Sequence, residues 1–144
     1  MPGFETIFSA ANLVALVGWA GLALFPGRRA VVDGLCGLAI PALLGIAYAG
    51  LVAAFFAGAD GGFSSLASVK ALFGSEPLLL AGWLHYLAFD LFIGAWEVRV
   101  ARAEGIPHLL VLPSLALTFL FGPIGLLLFL AVRFARAPRA VLEV

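Results

Sequence analysis

Leu78-Leu79-Leu80-Ala81-Gly82-Trp83-Leu84-His85-Tyr86-Leu87-Ala88-Phe89-Asp90-Leu91-Phe92-Ile93-Gly94-Ala95-Trp96-Glu97-Val98 is an apolar run that nevertheless carries an imidazole and two carboxyl groups. A bilayer hydrocarbon core of about 30 Å is crossed by roughly 17–25 helical residues, so the run is long enough to span. At about 1.5 Å per residue, Asp90 falls near mid-depth. An ionisable side chain there costs at least roughly 2.5–3.5 kcal/mol to insert, which makes it a functional-site candidate.

Three further runs flank this one: Ile7 to Phe25, Leu35 to Ala57 and Leu109 to Phe134. The chain is 64% hydrophobic and 11% charged, against roughly 45–50% and about 25% in an average soluble domain. Such a composition cannot clothe its own surface in polar groups. The expected fold is an all-α integral membrane protein, a single domain over 1–144 and a bundle of about four transmembrane helices. The expected spans are 7–25, 35–57, 78–98 and 109–134.

Between the second and third spans, Phe63, Leu66, Val69, Leu72 and Phe73 recur at helical spacing among Ser64, Ser65 and Lys70. At 63–73 the segment is too short to cross. It reads as an amphipathic interfacial helix with Phe63, Leu66 and Phe73 inward, either a connector or a lid. Pro26-Gly27, the Gly58–Gly62 stretch and Gly105-Ile106-Pro107 close helices, while Ser75-Glu76-Pro77 opens one. Gly18 and Gly21 keep one side of the first helix small. Gly45, Ala49 and Ala53 repeat every four residues on the second, a stripe expected to pack within the chain.

The charge balance is zero, with no basic run of the kind that binds nucleic acid. A lone Cys36 excludes an internal disulfide and reads as a small buried hydrophobe. The N-terminus lacks the basic residues of a cleavable signal, and none is expected. With four spans, Arg28, Arg29, Arg99 and Arg102 lie on one side and Lys70, Arg133, Arg136 and Arg139 on the other. The positive-inside rule then returns a tie.

Helical geometry sorts the polar groups of the third span. At about 100° per residue, Asp90 and Glu97 nearly superpose, with Trp83 and Gly94 on the same side and Glu104 continuing the stripe. His85 stands about 130° around, beside Phe89, Phe92, Trp96 and Arg99. His85 and Asp90 are five apart, which does not suit a metal site on one helix; a metal would need help from Asn12 or Thr118, and none is assigned. Two other readings remain, a hydrogen-bonded clamp between helices and a proton-transfer site. In the fourth span Pro113 and the run Phe119-Leu120-Phe121-Gly122-Pro123-Ile124-Gly125 predict a kink that either lines a cavity or merely shapes the bundle.

Four stretches carry a resemblance: Phe8-Ser9-x-x-Asn12, Phe63-Ser64-Ser65-Leu66, Trp83-Leu84-His85-Tyr86-Leu87-Ala88-Phe89-Asp90-Leu91-Phe92 and Leu117-Thr118-Phe119-Leu120-Phe121-Gly122-Pro123-Ile124-Gly125. Together they resemble the family named for a plant abscisic-acid-deficiency protein, over about residues 4 to 134. The resemblance implies a fold of about four spans and, for the plant member, a role in neoxanthin synthesis, where a violaxanthin epoxide opens to an allene. Without a plastid transit region, the chain looks like a bacterial member, expected in the bacterial inner membrane.

Such an isomerisation needs an acid at the epoxide oxygen and a base at the neighbouring vinylic C–H, and no redox cofactor. The candidate catalytic residues are therefore His85, Asp90 and Glu97, with a neutral Asp90 donating and His85 accepting a proton. Candidate substrate-binding residues are Asn12, Trp83, Phe89, Phe92, Trp96, Thr118, Gly122 and Pro123, around a polyene or isoprenoid lipid. Cofactors are expected to be none. Partners are expected to be membrane lipid and not nucleic acid, with self-association left open. The alternative function is a non-catalytic lipid or pigment binder or accessory subunit. A small transporter comes third, since no internal repeat is visible.

Overall fold

A computed structural model describes residues 3–136, and among them every regular element is helical. Helix α1 covers Phe4–Leu24 and α2 covers Ile40–Phe55; α3 is the short helix Leu66–Leu72. Helix α4 runs over Glu76–Ala103, α5 over His108–Phe121 and α6 over Pro123–Arg136. Directly before α2, Ala30–Ala39 is wound as a π-helix, so that the Ile40 N–H reaches back to the Leu35 carbonyl. Pro41 has no N–H with which to close an ordinary turn on Gly37, and the winding changes just ahead of it.

Three helices are long and apolar enough to cross a bilayer: Phe4–Leu24, Ala30–Phe55 and Glu76–Ala103. Their outer faces are apolar too, with Leu13, Leu38 and Ile46 each well exposed. Helix α4 is the hub, packed against α1, α2, the π-wound segment, α5 and α6. Its buried residues include Leu84, Leu91, Ala95 and Val98. Small residues set the close crossings. Gly18 of α1 lies under Leu91, Gly94 of α4 lies under the Trp19 ring, and buried Cys36 donates to the Gly18 carbonyl at 3.2 Å.

The fourth apolar run does not form one continuous helix. It breaks at Gly122 into two 14-residue helices, each about 21 Å long and so short of a full crossing. The second turns back along the first. His108, opening α5, meets the Ala23 carbonyl at the end of α1, while Phe119 near its close meets Tyr86 in the first half of α4. Phe129 of α6 then packs on Trp96, and Arg133 reaches Glu104 at the C-terminal end of α4. The apex is built from glycine. Gly122 takes φ +52°, where L side chains are strained, and any Cβ on Gly125 would collide with the Thr118 backbone.

This reversal changes the charge map. Arg133 lies at the same end as Arg99 and Arg102, not at the opposite one as four single crossings required. Arg139 lies outside the described residues. Two smaller expectations also fail. On α2 the residues turned inward are Ile40, Leu44 and Leu51, so Gly45 looks into open space and Ala49 and Ala53 are exposed. At α3, Ser65 caps the helix by accepting from the Ser68 N–H at 3.1 Å. That start turns Leu72 inward and leaves Phe63 76% and Leu66 85% exposed, although the Phe63 ring stacks on Phe56 and Phe73 lies against Gly82.

Candidate functional site

The polar residues of α4 divide between two of its sides. One side faces the α5–α6 hairpin and carries Asp90, Glu97 and, at the helix end, Glu104. Seven-residue spacing puts them on one stripe, and the hairpin supplies a different neighbour to each. Glu104 takes a forked ion pair from Arg133, with N–O distances of 2.6 to 3.0 Å. Glu97 is fully buried and accepts from the Thr118 hydroxyl at 2.9 Å. Asp90 lies against the apex itself, so that a Cβ on Gly122 would stand about 3 Å from its carboxyl oxygens.

Satisfaction of these carboxyls is uneven. Oε2 of Glu97 and Oδ2 of Asp90 are buried without a hydrogen-bond partner, an arrangement that costs free energy unless something else meets them. Tyr86 sits one helical turn before Asp90, at the spacing that makes side chains neighbours. Its hydroxyl lies within reach of the Asp90 carboxyl and donates to the Phe119 carbonyl at 3.0 Å. Sequence reasoning left Tyr86 unassigned, although the i, i+4 relation to Asp90 was visible.

Because the hairpin stops short, the lower flank of α1 and α4 is left uncovered below its apex. A cavity of about 310 Å³ occupies that notch, lined by Asn12, Leu16, Trp83, Tyr86, Phe119 and Leu120 among others. A second of about 340 Å³, also lined by Trp83, continues it towards Phe4, Glu5 and Glu76. The Trp83 indole donates to Asn12 Oδ1 at 2.9 Å and packs at a tilt on the Phe8 ring, so α1 and α4 share the wall. Apolar residues dominate both; the polar residues of the first are Asn12, Trp83 and Tyr86, and those of the second include Glu5 and Glu76.

His85 does not join this group. It points to α2, with its ring 5.9 Å from that of Tyr48 and 4.7 Å from that of Phe89. There it lines a separate apolar cavity of about 370 Å³ with Phe56, Phe63, Leu72 and Phe73. Phe92 is exposed beneath the Arg99 guanidinium, and Trp96 packs edge-on to Phe129. Of the candidate substrate-binding residues Trp83, Phe89, Phe92 and Trp96, only Trp83 lines the notch. Thr118 and Gly122 lie against the carboxyls, and Pro123 starts α6. Among the described residues no three His, Cys, Asp or Glu side chains converge as metal ligands.

A family model described as ABA DEFICIENT 4-like matches residues 6–129, a stretch that includes the π-wound segment, all of α4 and the hairpin apex. No curated protein and no solved structure matches the chain.

Proposed function

Given that the chain belongs to the ABA DEFICIENT 4-like family, we propose that it is a multi-pass membrane protein acting on a carotenoid or isoprenoid lipid. The substrate lies in the notch below the hairpin apex, and acid–base isomerisation takes place at Asp90 and Tyr86. The observation that carries the reading is the Asp90 carboxyl, with an unbonded oxygen against the hairpin apex, one helical turn from Tyr86, which lines the apolar groove. A long polyene suits a groove walled by Trp83, Phe8 and Phe119. Its polar ring end would meet Asn12, Tyr86 and Asp90.

For an epoxide-to-allene isomerisation the pair is sufficient in kind. Carboxylate Asp90 takes the vinylic proton, and the C–H electron pair becomes the second double bond of the allene as the epoxide C–O bond breaks. The departing oxygen takes a proton from the Tyr86 hydroxyl, which turns to it from the Phe119 carbonyl. Asp90 then returns its proton to Tyr86, so nothing is consumed. Glu97 and Thr118 hold the hairpin against α4 and so position the apex. His85 faces another cavity and serves neither step.

The test supplies an epoxy-carotenoid to protein reconstituted in vesicles and follows the product by chromatography. Asp90→Asn, which keeps size and hydrogen bonding but cannot carry the proton, should abolish turnover without loss of polyene binding. Tyr86→Phe should lower turnover by about 10²–10⁴, the usual contribution of a positioned acid. Unchanged turnover in Asp90→Asn would rule the mechanism out. Polyene binding with no turnover in the wild type would leave the protein a lipid-binding or substrate-presenting subunit.

A further inference from the structure

At the opposite end from the notch, three guanidiniums converge. Arg29 follows the turn that closes α1, and Arg99 and Arg102 stand one turn apart on the last part of α4. With Gly27 and Ala103 they line a cavity of about 420 Å³. Among the described residues the only carboxylate set beside them is Asp33, which is 3.9 Å from Arg99 and 3.8 Å from Arg102, too long for a hydrogen bond to either. One Arg102 nitrogen donates to the Pro26 carbonyl at 3.2 Å, while Arg29 has no polar partner among the described residues. Three fixed positive charges thus face one loosely held negative charge, with most of their donors unspent. Gly37 in the π-wound segment gives room for this, since a Cβ there would stand 3.0 Å from an Arg99 nitrogen.

The basic cavity adjoins an apolar one. Pro26, Val98, Ala101, Ile106 and His108 line a cleft of about 180 Å³ that shares Gly27 and Arg102 with it, its wall mostly apolar. A forked cationic site beside an apolar cleft, at the end of a membrane bundle, matches a ligand with a phosphate group and a hydrocarbon body. Guanidinium donors fit phosphate oxygens in pairs, and basic pockets between membrane helices hold anionic headgroups. We propose that Arg29, Arg99 and Arg102 form a phosphate-binding site, filled by the headgroup of an anionic lipid or by a free phosphate or diphosphate group. The site is distinct from the Asp90 notch and independent of any isomerase activity.

The purified protein would be placed in nanodiscs of phosphatidylcholine with or without phosphatidylglycerol. Retained lipid would be counted by native mass spectrometry, and inorganic diphosphate added as competitor. Selective retention of phosphatidylglycerol is expected, falling about fivefold for each arginine removed, the equivalent of ~1 kcal/mol per basic residue near an anionic surface. Arg29→Gln tests this without touching the Asp33 contacts, and Arg29→Gln with Arg102→Gln should lose nearly all selectivity. Asp90→Asn should retain it, which separates this site from the catalytic proposal. Displacement by diphosphate would assign the site to a free phosphate group, and retention against it to a lipid headgroup. Equal retention of both lipids, or selectivity unchanged in the two arginine variants, would overturn the proposal.

Discussion

Thr118 spends its hydroxyl proton on Glu97 in a contact from which solvent and lipid are both excluded. Thr118→Val keeps the shape and removes the donor, leaving both Glu97 oxygens unmet. A buried polar group stripped of its partner costs about 1–3 kcal/mol, so thermal unfolding in detergent should begin several degrees lower. Thr118→Ser should restore it. At the apex, Gly125→Ala should be worse than either, because its new methyl meets the Thr118 backbone, which cannot step aside. The stripe of Asp90, Glu97 and Glu104 was legible from seven-residue spacing alone, because a helix carries that geometry wherever it sits. The place of His85 was not. Its angle around α4 fixed a direction but not which neighbour stands there, and the neighbour proved to be α2 with Tyr48.

At the scale of elements, the departure from expectation lies in residues 109–134. Hydropathy measures how apolar a segment is and says nothing of the direction in which it runs. A single crossing and a hairpin buried at half depth therefore look alike. The glycines and proline from Gly122 to Gly125 were legible as a break, but the turn-back rests on contacts far apart in sequence, Arg133 with Glu104 and Phe129 with Trp96. A cysteine-labelling experiment in a Cys36→Ala background checks it. Cysteines at Gly105 and Arg136 should react with an impermeant reagent from the same side of the membrane, and one at Phe121 from neither. Labelling of Gly105 and Arg136 from opposite sides would restore the single crossing. The three longer helices were readable from length and apolarity, with ends that moved by a few residues.

Across the whole molecule, among the described residues, the hairpin gathers Arg28, Arg29, Arg99, Arg102, Arg133 and Arg136 at one end and leaves Lys70 at the other. The tie counted along the sequence becomes a strong bias, and for a chain that spans the membrane the positive-inside rule predicts the arginine end on the cytoplasmic side. A cysteine at Gly27 should then be protected from an impermeant reagent in intact cells, and one at Gly58 should react. The reverse pattern would contradict the assignment.

The same hairpin constrains how the chain is made. Helices α5 and α6 are each too short to lodge across a bilayer on their own, so they acquire a stable place only after α4 is already inserted. Until they emerge from the ribosome, the face of α4 bearing Asp90, Glu97 and Glu104 has no protein partner. The nascent chain therefore holds the Asp90 and Glu97 carboxyls against lipid or an insertion factor, and synthesis of residues 108–136 is the step that buries them.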